Sequence, residues 1–365
     1  MSEWQTFCLK DLVKIFGGST PPTNNPKNYG NKIRWITAKD LSTLQGRYIK
    51  KGSRSISRLG FKSCSTFLLP KHAILFSVRA PIGYTAIISK RSCTDRGLMG
   101  LVPNKKIYFE FLYYLLKYHK DNISNMGIGT TFKGISKPAL GLFEVKIPPT
   151  YYEQQKIART LSILDQKIEN NHKINELLHT LAYKIYEYYF KYKPKNAKLE
   201  QIIIENPKSS IMVKNAQKTQ DKYPFFTSGD NILSYPKAII DGRNCFLNTG
   251  GNAGIKFYVG KASYSTDTWC ICANEFSDYL YLLLSSIKTH INQSFFQGTS
   301  LKHLQKNLLK KYPIYMPSAH EIKKFNQIIM PLLTLISINT RTSKKLEQIR
   351  DFLLPLLLTQ QVKPQ

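Results

Sequence analysis

At 365 residues the chain is long for one ordinary domain, and 53 Lys plus Arg against 23 Asp plus Glu leave it with a net charge of +30. Its 42% hydrophobic and 12% aromatic content suffices for packed cores, which excludes a disordered basic tail and points to a folded protein with a polyanionic partner. Glu3, Trp4 and Gln5 stand where a secretory signal would be basic and then apolar, so the protein is expected to remain in the cytoplasm.

No membrane span is expected, because the apolar runs at 328–336 and 352–358 are short and contain Pro331 and Pro355. The six cysteines form no CxxC, and Cys270-x-Cys272 lacks the second ligand pair of a zinc site. They read as reduced core thiols, and no metal or cofactor is expected.

Composition divides the chain into alternating segments. Residues 1–150 carry a net +17 and read as a globule, with turn clusters such as 17–26 between β-branched and aromatic runs such as 73–78. After Pro148-Pro149, residues 151–193 (+2) show apolar residues at helical spacing. Residues 194–317 (+7) return to the turn-rich pattern, with a glycine cluster at 249–254. Residues 318–358 are helical again after Pro317, and 359–365 form a tail, the last 48 residues together carrying +4.

Shifting the chain by 168 residues superposes Pro149 on Pro317, Glu153 on Glu321, Lys156 on Lys324, Ile168 on Ile336, Asn171 on Asn339 and Leu178 on Leu346. The spacing fits a coiled coil, with one seam through Ile157, Leu161, Leu164, Ile168, Asn171, Asn175, Leu178 and Ala182 and another through Phe325, Ile329, Leu332, Ile336, Asn339, Ser343, Leu346 and Arg350. Each helix of about 40 residues would be a rod of about 60 Å. Antiparallel packing at equal length places Asn171 opposite Asn339 as a register-fixing polar layer, and Pro331 is expected to kink or break the second helix. The fold expected is α+β, two globules alternating with two long antiparallel helices in a pseudo-two-fold repeat.

The opening Trp4, Leu9, Gly17-Gly18-Ser19-Thr20-Pro21, Tyr29 and Trp35-Ile36 resembles the start of a target recognition domain in the specificity subunits of type I restriction-modification systems. Pro148-Pro149, Glu153-Gln154-Gln155 and Ile157-Ala158 resemble that family's entry to its spacer helix, a motif degraded at the second helix to Ala319-His320-Glu321-Ile322-Lys323. Tyr223-Pro224-Phe225, Thr227-Ser228-Gly229, Gly250-Gly251 and Thr266-Asp267-Thr268 are similar to another recognition-domain subtype. The resemblance implies two recognition domains reading the unlike halves of a split, asymmetric double-stranded DNA target. It further implies helices that set the spacing and dock two adenine-methylating modification subunits, and restriction motor-nuclease subunits that join for cleavage. A stand-alone DNA-binding protein without methyltransferase partners is the alternative.

The chain itself shows no catalytic motif. Thr20-Pro21-Pro22-Thr23 lacks the amide or acid and the aromatic of an adenine methyltransferase, and Gly250-Gly251-Asn252-Ala253-Gly254 lacks phosphate-cradle spacing. An excess of 42 Lys over 11 Arg suits phosphate contacts. Arg34, Lys39, Arg54, Arg58, Lys62, Arg79 and Arg91 are the candidate basic face of the first globule. The repeated loops Gly129-Thr130-Thr131-Phe132-Lys133 and Gly298-Thr299-Ser300-Leu301-Lys302 suit either close groove approach, through Thr130, Thr131, Lys133, Thr299, Ser300 and Lys302, or structural turns. Thr227, Ser228 and Asn252 complete the DNA-contact candidates.

Overall fold

A computed structural model describes residues 3–129, 133–216 and 222–363. They form two compact units, Met1–Glu169 with Ile349–Gln365, and Asn170–Gln348.

In the first unit a five-stranded sheet runs in the order Val13–Gly17, Leu98–Pro103, Ile74–Ser77, Thr85–Ile88, Tyr48–Ile49. Side-chain alternation along its strands separates two cores. Ile74, Phe76, Ile87 and Leu101 face the larger cluster, while Ala73, Leu75, Ala86 and Ile88 face the smaller. The run 73–76 is apolar without interruption because both of its faces are covered. Helix Phe109–Tyr118 packs on the larger cluster, joined by Ile157, Ala158 and Leu161 of the first long helix and Leu354, Leu357 and Leu358 of the second. A separate three-stranded sheet places Tyr29–Ile36 between Arg54–Ile56, antiparallel, and Cys93–Thr94, parallel.

The second unit repeats this plan. Its four-stranded sheet has the order Ile204–Glu205, Thr268–Cys272, Arg243–Asn248, Ile255–Val259. Its three-stranded sheet places Tyr223–Phe226 between Leu233–Tyr235, antiparallel, and Ser263–Tyr264, parallel. Its core takes in Ala182, Tyr186 and Phe190 of the first long helix and Ile322, Phe325, Ile329, Leu333 and Ile336 of the second.

The first long helix spans Tyr151–Tyr186 and widens into a π-helical turn at Glu187–Lys191; the second spans Ala319–Leu358. Both begin with a reciprocal cap. Thr150 Oγ1 accepts from the Glu153 amide and donates to its carboxylate, and Ser318 and Glu321 make the same pair of bonds. The buried Gln154 amide reaches the carbonyls of Lys106 and Pro148 while its Oε1 accepts from the Tyr108 amide at 2.8 Å. Ile322, at the matching position, is buried in the core instead, which accounts for the changed motif there.

Two expectations are corrected. Asn171 does not meet Asn339; its Nδ2 donates to Ser343 Oγ at 3.1 Å, and Asn339 Nδ2 donates to Asn175 Oδ1 at 3.0 Å. The polar layer is therefore two successive pairs, each partner one helical turn from the residue expected. Pro331 does not break its helix. The turn around it is strapped by Arg243, which donates to the Met330 carbonyl at 3.2 Å and to Thr334 Oγ1 at 3.0 Å, and burial of Ile329 and Leu333 offsets the missing backbone bond.

Candidate nucleic-acid interface

In the first unit the loop after Val13–Gly17 is pinned by three side chains. Trp35 Nε1 donates to the Ser19 carbonyl, Tyr29 Oη to that of Pro21, and Asn28 Nδ2 to that of Pro22. Gly18 is obligatory, since a Cβ there would lie 1.9 Å from the Asp95 carbonyl oxygen. These contacts give Gly18, Tyr29 and Trp35 a shared structural role in the opening segment. Asp40 closes the next turn, accepting from the amides of Thr37 and Ser53 at 2.8 Å each. Burial pushes this carboxyl up, but the Ser53 and Thr37 bonds outweigh it and hold it below its ordinary value.

All seven candidate cations of this unit are exposed, but they do not share one face. The register pairs Arg34 with Ser55 and Trp35 with Arg54, so Arg34 and Arg54 project from opposite sides of the three-stranded sheet. The single basic face expected from sequence is corrected accordingly. Arg54 lies 4.1 Å over the Tyr29 ring. Arg58 and Lys62 share one face of helix Arg58–Lys62, Lys39 rides on Ala38–Ser42, and Arg91 leads into Cys93–Thr94. Arg79 is bridged through its backbone to Gly134, which also bridges Ile128. Arg79 thus shares a corner with the exposed Lys133, whereas Thr130 and Thr131 lie outside the described residues.

In the second unit Phe296–Gln297 and His303–Leu304 form a hairpin whose tip carries exposed Thr299, Ser300 and Lys302. Gly298, at φ 140°, turns it, and Gly129 has a similar φ of 130°. The hairpin is tied to the glycine cluster, because the Gly251 amide donates to the Lys302 carbonyl and the Leu304 amide to that of Thr249. Exposed Asn252 is thereby brought to the same corner as Lys302.

Thr227 and Ser228, offered as direct contacts, have their hydroxyls engaged within the unit. Thr227 is 6% exposed, and its hydroxyl accepts from the Gly229 amide and faces the Asn231 carbonyl. Ser228 donates to the Asp267 carbonyl and accepts from the Thr249 amide. Sequence reasoning missed Lys256 altogether. Its ammonium, drawn in between strands, donates to the Thr227 carbonyl at 2.9 Å and to Asn248 Oδ1 at 3.1 Å. Burial lowers its pKa, with Lys288 adding to the shift and Asp230 opposing it. The only sequence signal was a lone cation in the apolar strand Ile255–Val259.

These corners present amide, hydroxyl and cationic groups on short, pinned loops, a donor set suited to phosphate and base edges. Among the described residues no helix is long and apolar enough to cross a membrane.

The family profile described as "Type I restriction modification DNA specificity domain" matches residues 1–180 and 195–348. The chain is 29% identical to the type I restriction enzyme MjaIX specificity subunit of Methanocaldococcus jannaschii, over 98% of this chain and 93% of that one. It is 31% identical to a putative type I restriction enzyme MjaX specificity subunit of the same organism, over 50% of this chain and 41% of the relative. A crystal structure of a type I restriction-modification S subunit from M. genitalium shares the fold at 18% identity, with a TM-score of 0.64 over 98% of this chain and 96% of its own. With both halves matched by the profile and the α+β repeat shared across almost the whole length, the chain belongs to the type I restriction-modification specificity subunits.

Proposed function

We propose that the chain is the DNA-reading subunit of a type I restriction-modification complex, in which each unit reads one half of a split, asymmetric target and partner subunits perform methylation and cleavage. The observation that carries this is the pair of family matches on two units of one plan whose loop residues differ: Arg54, Arg79 and Lys133 in one, Asn252, Thr299 and Lys302 in the other. Equal folds with unlike tips fit equal docking on unlike bases. Family membership favours this reading over a stand-alone binding protein.

Residues 1–150 and 194–317 serve as the recognition domains, and 151–193 and 318–358 as the spacer helices, with 359–365 a tail. Large apolar side chains left uncovered on those helices, Leu177 at 70% and Phe352 at 69% exposure, support docking of two modification subunits there, with motor-nuclease subunits joining for restriction.

Methylome sequencing of cells expressing the chain with its modification subunits tests the reading. A two-part motif is expected, and replacing residues 194–317 by the matching segment of another specificity subunit should change one half alone. No motif, or a motif unmoved by the exchange, would refute it.

A further inference from the structure

Beyond the loops that meet solvent, the second unit contains a cation that none of the DNA-contact assignments uses. Lys256 projects from Ile255–Val259 and reaches the turn after Tyr223–Phe226 and the end of strand Arg243–Asn248. One bond holds the carbonyl of Thr227, whose own hydroxyl fastens the following turn through the Gly229 amide. The other holds Asn248 Oδ1, and Asn248 Nδ2 passes the link on to the Asn252 carbonyl at 3.1 Å. The Asn248 amide also donates to the Gly254 carbonyl at 3.0 Å, and a Cβ on Gly254 would strike the Asn248 side chain at 2.3 Å. The Asn252 turn therefore has no slack on that side. Next to it, the Thr249 hydroxyl and the Ser228 hydroxyl converge on the Asp267 carbonyl. One ammonium thus joins the 227–231 turn to the 248–254 turn, and the latter holds the hairpin that carries Thr299, Ser300 and Lys302.

We propose that Lys256 is a positioning residue for the half-site read by the second unit, setting the placement of Asn252 and the Lys302 hairpin without touching a base itself. The proposal rests on the DNA-reading function above. The first unit has Thr85–Ile88 at the equivalent strand, without a lysine, so the device belongs to one half-site alone. Lys256→Met fills a similar volume and removes both bonds. A mismatched base pair ordinarily costs about tenfold or more in affinity, and loops free to shift would forfeit that discrimination.

The test is methylome sequencing of the complex carrying Lys256→Met, with the second half-site identified beforehand by the segment exchange. Discrimination at that half-site is expected to fall about tenfold while the first half-site stays within about twofold, and Lys256→Arg, which keeps a cationic donor, is expected to recover most of the loss. A general loss of folding would depress methylation at all sites equally and would not relax one half. Unchanged half-sites, or equal loss at both with normal protein abundance, overturns the positioning role while leaving the wild-type motif, and so the DNA-reading function, standing. If Lys256→Met fails to accumulate, Asn248→Ala decides the matter. It keeps the ammonium and cuts the link to Asn252, so relaxation of the same half-site supports the proposal and an unrelaxed motif overturns it.

Discussion

Asp165, on the first long helix, is 4% exposed and carries two partners, Tyr114 Oη at 2.6 Å and Arg350 Nη1 at 2.7 Å. Burial first, and then the Asp165 carboxylate, push the Tyr114 phenol far above its ordinary value, so it stays a donor. Asp165→Ala leaves a buried phenol unpaired and strips the guanidinium of its inner carboxylate. Breaking a buried pair costs about 3–5 kcal/mol, and because Arg350 keeps the exposed Asp351 at 2.8 Å the lower end applies, about 3 kcal/mol. For a unit of this size that is a fall in Tm of about 6–12 °C. Trp4, packed edge-on to Phe111 in the same core, is the reporter for fluorescence-detected thermal and urea unfolding. The companion variant Asp165→Leu, Arg350→Leu, Tyr114→Phe removes every member of the network and should recover most of the loss, since apolar replacement of a whole buried pair is often neutral. A loss below about 1 kcal/mol for Asp165→Ala, or a triple variant as unstable as the single, would refute the assignment of the network as a coupled unit.

Asn171→Leu with Ser343→Leu should raise stability by about 1–2 kcal/mol in urea titrations while loosening the helix register, read as methylation of targets with altered spacing. Inserting one helical turn between Ile157 and Ile185 should change the preferred spacer in the methylome, and an unaltered spacer would exclude the helices as its ruler. Lys133→Ala and Lys302→Ala should each lower the slope of log affinity against log salt by about 0.9 in filter or anisotropy titrations, and an unchanged slope removes that lysine from the phosphate contacts. Asp40 stabilises as a carboxylate whose pKa is depressed in the folded state, so its contribution is complete above the ordinary value near about pH 4 and is lost as pH falls through the lower folded value. Between about pH 6 and pH 3 the wild type should therefore lose more stability than Asp40→Asn, as measured by urea midpoints.

The long helices were legible because their signals are local, namely apolar spacing, prolines before the start, and a repeat at one fixed shift. The same shift also carries Thr150 onto Ser318, and with it the helix caps. Pairing across the helices was less legible. Asn171 and Asn339 announce a polar layer, but which residue each meets depends on the register between the helices, and Ser343 and Asn175 supply the partners. The resemblance between the two units escaped any single shift because their loops differ in length, although strand order and direction repeat. For the site, exposure of arginines and lysines was foreseeable from charge, whereas sidedness was not, since Arg34 and Arg54 are separated by strand register. A hydroxyl in a turn, as at Thr227 and Ser228, does not disclose from sequence that Gly229, Thr249 and Asp267 engage it. Lys256 is the converse case, a residue whose proposed role comes from oxygens on the neighbouring strand's end and on a turn 29 residues away.

Leu354, Leu357 and Leu358 complete the core of a unit whose other residues lie before position 170, while Asn170–Gln348 is continuous. On the ribosome the second unit therefore has all of its chain in hand while the first still lacks one wall. The earlier-made unit is the later one able to finish folding, with the apolar face of Ile157, Ala158 and Leu161 waiting through the synthesis of about 180 residues. Truncations within 349–358 should consequently injure the unit at the opposite end of the sequence.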